Sequence, residues 1–186
     1  MDVRTGISYR LVKLDKEERV IDLNKPQLLK GFNEVTKGNG YYKARLSTAA
    51  SPKELMAGNY MLRSISKAKN TDHVIYTMES FEQYPDLHYA TLDFKKSIRL
   101  THGIDQQKDY LWGTAELVSW ISLDGRKLEG VVYKPADFDP AKKYPMIVSF
   151  YERNSETLFN YRMPEPHRST IDYHLYNSNG YIVFNP

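Results

Sequence analysis

Tyr144-Pro145-Met146-Ile147-Val148-Ser149-Phe150-Tyr151 is the stretch that decides the fold. After the proline the residues from Met146 to Tyr151 form a nearly continuous apolar run, the pattern of a strand covered on both faces, as in a parallel sheet. Downstream, Glu152 to Arg168 is polar and broken by Pro164 and Pro166. Ser169-Thr170-Ile171-Asp172 then reads as a capping-box-like helix start, with Asp in place of the usual Glu or Gln. Ile171 and Leu175 share a face at i, i+4 spacing, and Asn179-Gly180 stops the helix through a left-handed residue. Tyr181 to Phe184 is a second buried-type strand, so the segment reads strand–helix–strand. Upstream, Leu117 to Leu123 alternates strongly. Asp124-Gly125 is a hairpin signal with both central residues expected at positive φ. Leu128 to Tyr133 is the return strand, which Lys134-Pro135 ends because proline cannot donate to the ladder.

Residues 1–112 read as all-β. Short alternating runs recur at Ile7 to Leu14, Tyr41 to Leu46, Tyr60 to Ile65, His73 to Met78, Leu87 to Leu92 and Ser97 to Thr101. Polar breakers such as Lys69-Asn70-Thr71-Asp72 and Tyr84-Pro85-Asp86 separate them. Gly31 to Gly40, with Gly38-Asn39-Gly40, reads as a turn region and lacks the lysine-serine of a phosphate loop. Ser51-Pro52-Lys53-Glu54-Leu55-Met56-Ala57 offers a cap, a first-turn proline and a following Gly58, the marks of one helical turn. Gly58 to His102 has the size and strand count of one propeller blade. A blade needs neighbours to bury its faces. Gln106-Gln107-Lys108-Asp109 reads as the crossover between domains, with Trp112 and Trp120 as core anchors near it.

Composition narrows the function classes. The 186 residues carry 26 Lys+Arg against 23 Asp+Glu, a net charge of +3, with the signs interspersed rather than collected into a nucleic-acid footprint. There is no cysteine, which excludes a disulfide scaffold, a thiolate zinc site and a cysteine nucleophile. No run is apolar and long enough to span a bilayer, and Met1 to Arg10 lacks the apolar core of a signal peptide.

The order and spacing of several short stretches resemble the prolyl oligopeptidase family of serine peptidases, especially its dipeptidyl peptidase IV-like bacterial members. The stretches are Trp112-Gly113-Thr114-Ala115-Glu116-Leu117, Trp120-Ile121-Ser122-Leu123-Asp124-Gly125 and Gly130-Val131-Val132-Tyr133-Lys134-Pro135, continuing with Lys143-Tyr144-Pro145-Met146-Ile147-Val148, Tyr151-Glu152 and Ser178-Asn179-Gly180-Tyr181-Ile182-Val183. The match is close over about residues 110–186 and looser over 58–109. It implies a mixed fold: residues 1–112 as the C-terminal part of a β-propeller, its last one to two blades, and residues 113–186 as the incomplete start of an α/β-hydrolase domain. It further implies a parent that cleaves short peptides by acyl transfer, with serine, histidine and an acid as its triad. No Gly-x-Ser-x-Gly pentapeptide occurs in the chain. The triad would therefore follow Pro186, and this piece is expected to be inactive alone, with its last strand an unpaired sheet edge. The resemblance implies no cofactor and no metal. The expected partner is a peptide substrate of the parent, without nucleic acid or a membrane span; it allows a homodimer, and a periplasmic or secreted location. The competing reading is a non-catalytic β-rich binding or scaffold module.

One site residue follows from the resemblance. In these peptidases a tyrosine just past the third strand of the hydrolase domain helps form the oxyanion hole, and Tyr151 falls at that place. A phenol O–H aimed at a developing oxyanion is the kind of preorganised donor that stabilises a transition state strongly. Other constellations carry less. His73, His88, His102, His167 and His174 are scattered, without a metal-binding spacing. Glu152 and Glu156 are read as solvated loop carboxylates. Arg153, Arg162 and Arg168 are read as surface partners of Glu152, Glu156 and Glu165.

Overall fold

A computed structural model describes residues 5–15, 17, 19–151, 154–166, 168 and 171–186. Nearly all of the regular structure is β. Among the described residues there are three four-stranded sheets, two short helices and one 3-10 turn. The chain divides into two compact units, Met1–Met78 with Pro85–His102, and Glu79–Tyr84 with Gly103–Pro186.

In the first unit β1 (Ile7–Leu11), β2 (Pro26–Asn33), β3 (Asn39–Arg45) and β4 (Lys53–Gly58) form an antiparallel meander in sequence order. Two sequence readings change here. Ser51 to Ala57 is not a helical turn: β4 pairs with β3 through Tyr41↔Met56 and Tyr42↔Glu54, with a bulge between Tyr41 and Tyr42. A ladder to a distant strand outweighs a local cap and propensity signal. The turn region of Gly31 to Gly40 shrinks to the residues between Asn33 and Asn39, because Gly31 lies within β2 and Gly40 within β3. Gly38 and Gly40 serve close backbone approach, since a Cβ would sit 2.2 Å from the Gly58 carbonyl oxygen at Gly38 and 2.7 Å from that of Met56 at Gly40.

The strands of the second sheet, β5 (Met61–Lys67), β6 (His73–Ser80), β7 (Gln83–Thr91) and β8 (Ser97–Arg99), are again neighbours in sequence order. This is the four-stranded form expected over Gly58 to His102. Tyr84-Pro85-Asp86 does not break the chain but lies inside β7. The ladder of β8 engages only His88 to Ala90, so Pro85 falls outside it and its missing N–H costs no bond there. The core of this unit is Leu28, Tyr41, Leu62, Val74, Tyr76, Ala90 and Phe94. Tyr41 stacks on Phe94 with centroids 4.8 Å apart and meets Tyr76 edge-on at 6.0 Å. Burial pushes the Tyr41 phenol well above its ordinary range, helped by neighbouring Tyr76.

The second unit contains α1 (Ile104–Gln107), β9 (Thr114–Ile121), β10 (Lys127–Lys134), β11 (Met146–Val148), α2 (Tyr173–Ser178) and β12 (Ile182–Asn185). The sheet runs β11-β12-β10-β9. β9, β10 and β12 pair antiparallel, and β11 pairs parallel to β12 through Met146↔Ile182, Ile147↔Val183 and Val148↔Phe184. The expected strand–helix–strand is present as β11, α2 and β12. The last strand is not an unpaired edge: β12 lies between β11 and β10. The edges are β11 and β9, and β11 is not covered on both faces, because Met146 and Val148 are each 50% exposed. An apolar run states that burial is favourable, not that the chain supplies the cover.

Three local readings are also revised. The Asp124-Gly125 turn has only Gly125 at positive φ (81°), and the loop closes through Gly125 N–H to the Ser122 carbonyl and Ser122 N–H to the Arg126 carbonyl. This is a longer hairpin loop with one left-handed glycine rather than a two-residue turn. Ser169 and Thr170 lie outside the described residues; Asp172 itself caps α2, its Oδ1 accepting from the backbone N–H of His174 (3.0 Å) and Leu175 (3.2 Å). The crossover segment at Gln106-Gln107 closes α1 instead of running free. The stop at Gly180 is as read: its φ is +77°, and Tyr181 N–H reaches back to the Tyr176 carbonyl. Phe81, Val131, Tyr133, Leu158 and Val183 make this unit's core, with Trp112, Ile171 and Tyr173 packed against it.

Candidate functional site

Tyr151 stands three residues past β11, at the carboxyl end of a strand that runs parallel to β12. Ser149 N–H still bonds the Phe184 carbonyl at 2.9 Å, so the ladder holds the backbone almost to Tyr151. The side chain itself is 94% exposed. The carboxyl ends of parallel strands are where open α/β sheets gather ligand-binding groups. Beside it in sequence, Glu152 and Arg153 lie outside the described residues. The 3-10 turn Ser155–Thr157 follows, with Ser155 buried. Asn185, at the carboxyl end of β12, is buried and donates from Nδ2 to the Tyr173 hydroxyl at 2.6 Å. The arrangement leaves an exposed tyrosine hydroxyl just past a strand end.

Among the described residues no three histidines or carboxylates gather into a group that could hold a metal, and His167 is outside them. His88 is buried in the first unit, stacked on Tyr76 at 5.4 Å. Burial lowers its pKa, against a raising effect from Asp86. His174, in α2, stacks on Phe81 at 5.0 Å, and its Nε2 lies 2.8 Å from the Arg162 carbonyl. Burial lowers its pKa as well, only partly offset by that carbonyl and by Asp172. Arg162 lies over the ring of Tyr173 at 5.0 Å, so it packs on an aromatic face rather than standing only as a surface charge.

A second arrangement was not visible in the sequence. Within the second unit a cleft of about 700 Å³ has walls of Tyr84, Trp112 and Tyr161. Trp112 stacks on Tyr161 at 5.4 Å and 14°, and Tyr84 meets the same ring edge-on at 5.4 Å and 74°. The Trp112 indole N–H donates to the Phe81 carbonyl at 2.7 Å, which fixes the ring. The Gln107 Nε2 donates to the Glu82 carbonyl at 2.8 Å. These residues come from segments far apart in the chain, so no linear spacing announces them.

No protein-family model and no curated protein sequence matches the chain. Solved structures do share its fold. Dipeptidyl peptidase 4 of Porphyromonas gingivalis is 17% identical with a TM-score of 0.65, over 95% of this chain and 24% of that one. A structure from a study of two prolyl endopeptidases is 15% identical with a TM-score of 0.61, over 96% of this chain and 24% of that one. The acylaminoacyl peptidase of Pyrococcus horikoshii is 17% identical with a TM-score of 0.58, over 87% of this chain and 23% of that one. The chain thus spans about a quarter of the length of these structures. Its fold is that of part of a prolyl oligopeptidase-type peptidase, as the sequence resemblance suggests.

Proposed function

We propose that this chain is a piece of a serine peptidase of the prolyl oligopeptidase or dipeptidyl peptidase type. In this reading the four-stranded meanders are blades of a β-propeller, and the second unit opens an α/β-hydrolase domain. The observation that carries it is the strand order β11-β12-β10-β9, an antiparallel hairpin followed by a parallel β11–α2–β12 unit, with Tyr151 at the carboxyl end of β11. The peptidase names of the structures that share the fold support it, and so does the quarter share of their length.

The chemistry would be acyl transfer. Serine, histidine and acid would come from chain beyond these residues, and Tyr151 would donate its hydroxyl proton in a hydrogen bond to the oxyanion. The donor is useful only in the transition state, so its loss should fall on kcat more than on KM. The test uses the full reading frame that contains this chain. It should hydrolyse prolyl or alanyl anilides and be labelled by a fluorophosphonate. Tyr151→Phe should lower kcat by about a hundredfold with KM little changed. A protein that neither turns over nor labels would end the peptidase reading and favour a scaffold. An active protein indifferent to Tyr151→Phe would remove only the oxyanion role.

A further inference from the structure

The aromatic cleft of the second unit has an assembled character that the peptidase reading does not use, and Tyr151 is not among its lining residues. Its volume lies in the range of small-ligand sites. Tyr161 packs against both Trp112 and Tyr84, Trp112 also meets His174 at 4.0 Å, and exposed Tyr110 adds a fourth ring to the lining.

Charge decides what such a cleft prefers. Among the described residues, the ionisable side chains that line it besides its tyrosines are Asp109, Asp172 and His174, with no lysine or arginine. His174 is partly buried, and that desolvation lowers its pKa and favours its neutral form. Lys108, next to Asp109, pairs with Asp105 at 2.7 Å, Arg162 lies over Tyr173, and Arg168, four residues before Asp172, is exposed and is not among the lining residues. Asp172 is fixed by its capping bonds through Oδ1, and its Oδ2 makes no hydrogen bond among the described residues. Gln107 is buried at the cleft, and its Oε1 has no hydrogen-bond partner among the described residues, which adds an uncompensated carbonyl dipole beside the two carboxylates.

We propose that this cleft binds a small organic ammonium ion, its alkyl groups against the rings of Trp112, Tyr161 and Tyr84 and its charge balanced by Asp109 and Asp172. Aromatic rings and carboxylates attract a cation for two separate reasons, the ring quadrupole and the Coulomb field. A neutral molecule of the same shape gains only the apolar contact, and an anion is repelled. The inference stands independently of the peptidase reading.

The chain contains two tryptophans, so Trp120→Phe leaves Trp112 as the only indole reporter. Choline chloride is titrated into this protein while Trp112 fluorescence is followed, with the neutral tert-butyl isostere of choline and sodium acetate in parallel. Choline should give saturable quenching, the isostere should bind about tenfold more weakly, and acetate should not bind. Asp109→Asn and Tyr110→Ala change exposed side chains and should each weaken choline several-fold with the fold unchanged by circular dichroism. Tyr161→Leu should abolish the saturable phase. Equal affinity for choline and its isostere, no saturation by about 100 mM choline, or full affinity in folded Asp109→Asn and Tyr161→Leu proteins would each overturn the proposal.

Discussion

His88 and His174 are each held in a place that disfavours their charged form. Burial lowers both pKa values below the ordinary 6.5. The unfolded chain therefore binds protons more readily than the folded one as pH falls through that value. Stability from these sites is fully present above about pH 6.5 and is lost as pH falls toward their lowered folded values. Chemical denaturation at a series of pH values should show the midpoint falling as pH drops below about 6.5, and His88→Gln should flatten part of that slope. A midpoint that is constant across this window would contradict the burial of both rings. At the same scale, Asp172 acts where Ser169 was expected to. The helix begins at Tyr173, and only a side chain one residue before it reaches the first free N–H groups. Sequence shows which residues are able to cap; the path of the preceding loop decides which one does.

Among the elements, β11 stands out. It is three residues long, pairs on one side with β12, and leaves Met146 and Val148 half exposed. An apolar edge of this kind is a template for another strand. The isolated chain should self-associate with rising concentration, and Val148→Lys should shift sedimentation toward the monomer. Unchanged sedimentation of that variant would mean that association uses another surface. The motif of strand, helix and strand was legible because glycine and proline punctuate it, at Pro145 before β11 and Gly180 after α2. β4 was not, because its Ser-Pro start and trailing glycine mimic helix boundaries, and only pairing with β3 reveals the strand. β2 was missed for a similar reason. Gly31 interrupts its apolar alternation, yet a glycine is required there because a Cβ would meet the Tyr42 ring at 2.4 Å.

At the scale of the whole chain, two units each carry their own buried core, one around Tyr41 and Tyr76, the other around Tyr133 and Val183. Hydrolysis needs a nucleophile with a base beside it, and neither unit's sequence holds a Gly-x-Ser-x-Gly turn. The 186-residue chain alone should leave prolyl and alanyl anilides uncleaved, while the longer reading frame cleaves them. Measurable turnover by the chain alone would show a catalytic group outside the peptidase scheme.

By itself the sequence determined the β-rich character, the blade-sized segment over Gly58 to His102, the hairpin and strand–helix–strand order after Thr114, and the position of Tyr151 after its strand. These depend on period, turn residues and local order, which are written along the chain. The tertiary structure decided that β12 rather than β11 is interior, that β4 is a strand, and that Tyr84, Trp112, Tyr161 and Asp172 meet around one cleft. Strand order and cleft walls depend on pairings between distant residues, and each of those is won by long-range hydrogen bonding and burial rather than by local preference.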